Sequence, residues 1–417
     1  MKRCLLMKTG ILLAITAALA LTGCSVAPHG KTIVLDRPVS SPTAAPAPAG
    51  VMSFQLERAS IIPLDKLDTA GNFGGRQSGM VCGWLDNDHL AAVGAKASTA
   101  QPDETGGAMD GPLAAMEEKK RVLMLQTKGV TGRVLSINWE TGEAVELHTV
   151  RDAVITTLGL DGDRQRIWYL SIHNNGTMKL SVSDISFTHE LLEIPDYYGA
   201  QPFWSSHDKY LGFLNGSKLE LFDGESITSI PIKVMKQYHS GNLYVDDSTD
   251  RILYLSGDQT LLTMALPAGQ KPDYKLVDKA ALSSAIPEEV LFGKTESMQW
   301  VDSEYLAYLS QDKNGQALQV VSTAEDGHSN RYDGVTNFAF SDDRKYICLA
   351  RETADGMANV FVGEWHDGAI ENEKLVFAGF SAAGSIFFSP DNSKLYLEGS
   401  YRLTDEARMV GLVLKFR

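Results

Sequence analysis

A chain of 417 residues, 44% hydrophobic and 22% charged, has the make-up of a globular protein and the length of one large repeat-built domain or two to three average ones. Its formal charge is −14, from 38 Lys and Arg against 52 Asp and Glu, and the cations form no run. Phosphate binding needs clustered cations, so nucleic acid is excluded as a partner.

The chain begins with Lys2, Arg3 and Lys8, followed by the apolar run ILLAITAALALTG, which is too short for a comfortable membrane span. That run ends in Leu21-Thr22-Gly23-Cys24, which is similar to the lipobox of bacterial lipoproteins. The resemblance implies that residues 1–23 are a signal peptide that is removed, and that Cys24 carries a diacylglyceryl group beside an acylated amine. Two or more acyl chains anchor a protein stably, so Cys24 is the expected membrane attachment on the extracytoplasmic face. Loss of residues 1–23 removes three positive charges and no negative ones, taking the chain from −14 to −17. Residues 24–52 are rich in Pro, Ala and Ser and bury too little surface to order themselves, so they read as a disordered, extended stalk.

From residue 53 to 417 the pattern changes. Seven copies of one hairpin align on a large apolar residue before a polar turn: Trp84, Leu160, Trp204, Val245, Trp300, Phe340 and Phe388. Each turn contains Asp, Asn or Ser and is followed by alternating apolar positions, the period of a strand. The copies are 40 to 55 residues apart, except for a first interval of 76 that holds an insertion at 95–120. A second hairpin follows most copies, as in SINWETGEAVEL, where Glu140-Thr141-Gly142-Glu143 makes the turn. This repeat length and helix-poor pattern predict an all-β, seven-bladed β-propeller of four-stranded antiparallel blades. Sheets that are apolar on both faces bury themselves by packing around an axis, which would wedge Trp84, Trp204, Trp300, Phe340 and Phe388 between blades. The last blade shows three strands before Arg417, and SFQLERASIIPL, residues 53–64, is expected to supply the fourth.

The hairpins FFSPDNSKLYLEG and FAFSDDRKYICLA resemble the propeller repeats of TolB-like and WD-repeat-like proteins, whose consensus reads Phe-Ser-Pro-Asp-Gly-Lys. The resemblance implies an architecture over residues 53–417 and carries no active site.

Chemistry-bearing motifs are sparse. HELLE at His189 lacks the second histidine of a zinc helix, and His29 and His148 sit in linker and hairpin-edge contexts. The acidic turns at 86–89, 161–163, 246–250 and 341–345 suit backbone hydrogen bonding better than calcium. Cys82 and Cys348 lie in apolar strands of different blades and read as two core thiols. No catalytic, cofactor-binding or metal-binding residue is therefore assigned. The sequence points to a monomeric, lipid-anchored envelope protein whose propeller face binds a protein, peptide or other ligand or acts as a scaffold. Its rivals are an envelope enzyme, a carbohydrate lyase or hydrolase working in the channel, and an accessory sensor lipoprotein for a transporter or kinase.

Overall fold

The structure is a computed structural model. It describes residues 54–64 and 80–96, most of 129–231, strands between 242 and 276, most of 298–417, and a short ladder at 72–77. All of these lie within the second of two compact units, Thr32–Arg417. The signal at 1–23, the linker with Cys24 and His29, and most of the 95–120 insertion lie outside the described residues.

No α-helix occurs among the described residues. After β1 (Leu56–Pro63) and the two-residue strands β2 (Asn72–Phe73) and β3 (Arg76–Gln77), the strands fall into consecutive antiparallel fours. The first set is β4 (Met80–Trp84), β5 (His89–Lys96), β6 (Thr131–Asn138) and β7 (Ala144–Arg151). The second is β8 (Ala153–Leu160), β9 (Arg166–His173), β10 (Met178–Asp184) and β11 (Glu190–Ile194). The third is β12 (Phe203–Trp204), β13 (Leu211–Asn215), β14 (Lys218–Phe222) and β15 (Ile227–Pro231). The fourth is β16 (Asn242–Asp246), β17 (Arg251–Leu255), β18 (Leu261–Ala265) and β19 (Tyr274–Leu276). The fifth is β20 (Met298–Trp300), β21 (Tyr305–Asp312), β22 (Gly315–Ser322) and β23 (Ser329–Asp333). The sixth is β24 (Val335–Phe340), β25 (Tyr346–Glu352), β26 (Ala358–His366) and the start of β27 (Ala369–Phe388). The seventh runs from the end of β27 through β28 (Lys394–Arg402) and β29 (Ala407–Phe416) to β1, which pairs antiparallel with β29 from Leu56↔Phe416 to Pro63↔Val410.

Every one of the seven aligned turns joins the first and second strands of a set. The second hairpin read at Glu140–Glu143 joins β6 to β7, closed by the Gly142 amide on the Asn138 carbonyl at 2.8 Å, with Gly142 at φ 66°. Two boundaries differ from the sequence reading. Ala95 and Lys96 end β5, paired with Gly132 and Thr131, so the insertion starts two residues later. The first strand of the last set, at 385–388, is the tail of the 20-residue β27, which serves two sets at once; Gly379, at φ 76°, lies between the two halves. A continuous strand there shows no polar turn for a sequence reading to find.

Strand alternation explains the packing. In β25, Ile347 and Leu349 join a core with the fifth set, while Tyr346, Cys348 and Ala350 join a core with the seventh. In β28, Leu395 and Leu397 face the sixth set and Tyr396 faces the first. Side chains two apart share a face, so these sheets bury both. Such two-sided cores join the fifth set to the sixth, the sixth to the seventh, the first to the second and the second to the third. One more joins the seventh set to the first, so the two ends of the chain share a core around Ile62, Trp84, Trp139, Tyr396 and Val413. Trp84, Trp300, Phe340 and Phe388 are buried as expected. Trp204 packs against the core of the second and third sets and is half-buried there, with the Arg166 guanidinium 4.6 Å from its ring centre.

Candidate functional site: the rim of first turns

The turns after the first strands are built to one plan. A short polar side chain accepts the amide where the second strand begins: Ser205 Oγ from Tyr210 at 2.9 Å, Ser341 Oγ from Tyr346 at 3.0 Å, Ser389 Oγ from Lys394 at 2.9 Å. Asp161 Oδ1 does the same for Gln165 and Arg166, and Asp86 Oδ1 for Asp88 and His89. The turn then passes through a left-handed residue at matching places: Arg164 (φ 57°), Asp208 (φ 61°), Arg344 (φ 57°) and Asn392 (φ 59°). Ser and Asp bond the local backbone readily, and Asn and Asp tolerate that conformation. In the described acidic turns, Asp86, Asp161 and Asp343 therefore accept backbone amides. Among the described residues no group of three His, Cys, Asp or Glu could hold a metal ion, and Asp247 to Asp250 lie outside them.

The sequence did not reveal that these turns are tied to one another. Asp208 Oδ2 accepts the Gly162 amide at 2.7 Å, linking the third set to the second, and the Asp208 carbonyl accepts from Arg166. Asn392 Nδ2 donates to Asp343 Oδ2 at 3.1 Å, and the Asp391 amide donates to Asn87 Oδ1 at 3.1 Å, joining the sixth, seventh and first sets. Arg164 of the second set forms an ion pair with Asp342 of the sixth, two sets that are not consecutive. The first turns of the second and sixth sets therefore lie against each other.

The electrostatics follow from these contacts. Burial alone would raise the Asp343 and Asp391 carboxyls. Hydrogen bonds from Ser341 and Lys345 to the first, and from Ser389 and Ser393 to the second, outweigh it and hold both below the usual range. Asp208 goes the other way. Burial, with the charges of Asp161 and Asp163, pushes it up to about 6 against the pull of the Gly162 amide and Arg164. The native state therefore holds the Asp208 proton more tightly than the unfolded chain does. Its stabilising contribution is complete below the ordinary carboxyl value of 3.8 and is lost as pH rises through about 6. Asp208→Asn, which keeps an acceptor for Gly162, is expected to remove that part of the pH dependence. Urea midpoints from pH 4 to 8 check this: the variant should gain on the parent protein as pH rises, and parallel curves would refute the assignment.

The remaining marked residues are structural. HELLE is a turn running into β11, with His189 Nδ1 2.8 Å from Asp184 Oδ2. His148 stacks on Phe187 with ring centres 4.6 Å apart and sits 3.1 Å from the Tyr169 hydroxyl; burial lowers its pKa. Cys82 and Cys348 are free thiols on β4 and β25, in the first and sixth sets. Burial pushes Cys82 up to about 12 and Cys348 higher still, so neither is a ready nucleophile.

Fold and rim together define an all-β protein of propeller type. Among solved structures, the chain is similar to an oligogalacturonate lyase in complex with manganese: TM-score 0.51, 13% identity, 87% of this chain and 95% of that one covered. It is also similar to a chain of a mitotic checkpoint complex (TM-score 0.45, 12% identity, 90% and 99% covered) and to a putative 6-phosphogluconolactonase from Bacteroides uniformis (TM-score 0.39, 12% identity, 68% and 91% covered). At such identities the likeness is one of fold. No family model and no curated protein matches the chain.

Proposed function

We propose that the chain is a seven-bladed β-propeller closed by β1, held at the extracytoplasmic face of a cell membrane through lipid on Cys24, and that it acts there as a monomeric binding or scaffold module. One observation carries the binding reading: the rim turns are locked to each other by hydrogen bonds and an ion pair that run between sets. A rim fixed this way presents a stationary surface at low conformational cost, which is what a docking platform needs. The enzymatic alternative, a carbohydrate lyase or hydrolase, needs ionisable groups free to act at one mouth. Here the rim carboxylates of Asp86, Asp161, Asp343 and Asp391 are engaged as turn acceptors. A sensor serving a transporter or kinase would use the same platform.

Two experiments test this reading. A photocrosslinking residue at exposed His207 on the rim should capture a defined partner in living cells, and one at exposed Val145 on β7 should not; capture from both or from neither contradicts the platform. Cys24→Ala should move the protein from the membrane to the soluble fraction and abolish incorporation of a labelled fatty acid. Unchanged partition would refute the anchor.

A further inference from the structure

Four first strands break register with their second strands at a similar height: β4 between Val81 and Gly83, β8 between Ile155 and Thr157, β24 between Val335 and Asn337, and β27 between Ala382 and Ile386. Bulges in a strand re-aim side chains and free backbone groups, and they gather at functional sites. These bulges are neighbours. Asn337 Nδ2 donates to the Gly384 carbonyl at 2.6 Å, from the sixth set to the seventh. The Cys82 side chain, within its own bulge, packs against the core that holds Ile155 and Leu158 of β8.

The largest bulge, in β27, faces Glu398 of β28. Three residues of β27 stand there against one of β28. Glu398 lies across Gly384, where an added Cβ would fall 2.9 Å from three carbons of its side chain, at the three-residue bulge itself. It is 8% exposed, and no Lys, Arg or His pairs with it among the described residues. One step along the same face, the Tyr396 hydroxyl is fully buried and has no hydrogen-bond partner. The Tyr396 ring bends over Gly411, the cross-strand partner of Glu398, and the hydroxyl lies within electrostatic reach of both Glu398 and Cys82. A buried carboxylate without a counter-charge, next to a buried hydroxyl without a partner, is costly unless something joins them.

We propose that this junction of the seventh and first sets binds a small monovalent cation, either a bare alkali-metal ion or the primary ammonium group of a ligand, with the Glu398 carboxylate and the Tyr396 hydroxyl oxygen as its ligands. One carboxylate balances one positive charge, whereas a dication would leave a net charge in a poorly solvated place. Gly384 is needed because only a residue without a side chain lets Glu398 reach over the bulge. The inference does not depend on the lipid anchor or on a docking partner.

The test measures thermal midpoints of the whole chain in detergent at pH 8 and constant ionic strength, in chloride salts of sodium, potassium, methylammonium and the bulky choline. A small cation is expected to raise the midpoint by several degrees over choline, saturably, since a ligand that binds only the folded state stabilises it. A sodium or potassium preference identifies a metal ion, and a methylammonium preference identifies an amine ligand. Glu398→Gln should lose the shift, while Asp208→Asn should keep it. Should Glu398→Gln fail to fold, Tyr396→Phe replaces it and should weaken the apparent affinity several-fold. Equal midpoints in all four salts, or a shift that survives the substitution used, would overturn the site and leave Glu398 a buried protonated acid.

Discussion

Trp84→Ala is expected to destabilise the protein by about 3–5 kcal/mol, the cost of emptying a buried aromatic site. Trp84 is 1% exposed and ends the first strand of the first set, yet it packs on Ile62, Tyr396 and Val413 of the seventh. Its indole Nε1 donates to the Phe387 carbonyl at 3.1 Å, a bond between residues 303 apart in sequence. The truncation therefore removes packing across the meeting of the chain ends and leaves a partly buried carbonyl without its donor. Trp84→Phe separates the two effects, because it keeps most of the ring volume and loses the hydrogen bond, worth about 0.5–1.5 kcal/mol. Trp204→Ala supplies the comparison, as its half-buried ring should cost less than Trp84. Denaturant midpoints with slopes measure all three. If Trp84→Ala proves no worse than Trp204→Ala, the shared core of the first and seventh sets is not an important source of stability.

That core could be anticipated because its signals are local and repeated. Four of the first turns combine a short polar side chain with a left-handed residue, and the second strands alternate, so Phe388-Ser389-Pro390-Asp391 and Phe340-Ser341-Asp342-Asp343 stand out unaided. The fourth strand of the last set was readable as a deficit: three strands at one end of the chain and a lone apolar strand at the other. What stayed hidden depends on distance or irregularity. The Arg164–Asp342 pair joins residues 178 apart, and nothing local to either marks the other as a partner. Bulges disguise themselves, because an extra residue breaks the period of two that identifies a strand. Ser381-Ala382-Ala383-Gly384-Ser385 reads as a weak stretch of strand, although it is where Glu398 is housed. The signal that could have found Glu398 is its place in β28, a charged residue between Leu397 and Gly399 at mid-strand, whereas Lys394 and Arg402 stand at the strand's ends. Trp204 packs against the core of the second and third sets as expected, and what the sequence could not show is that Arg166 covers its outer face.

Cutting the chain just after Leu64 should convert the clasp into a separable ligand. In β1, Ala59 and Ile61 are buried against the sixth-set side, and Ile62 and Leu64 against the first set. Burying each large apolar side chain contributes about 1.5–3 kcal/mol, and ladder hydrogen bonds to β29 add to this. The N-terminal piece is therefore expected to stay bound in buffer after cleavage, although no covalent bond holds it. Moderate urea should release it before the rest unfolds, because cleavage turns an intramolecular contact into a dilution-sensitive one. Its departure bares β29, whose Val410, Leu412, Val413 and Leu414 are all buried in the intact protein. An apolar strand with an open edge pairs with its like, so the stripped body should self-associate. A synthetic peptide of residues 53–64 should reverse that self-association, and the same peptide with Ile61 and Ile62 changed to Asp should not. Were the cleaved protein to unfold at the same urea concentration as the intact one in a single dilution-independent step, β1 would be a passive edge strand. The other sheets would then have to hold without it.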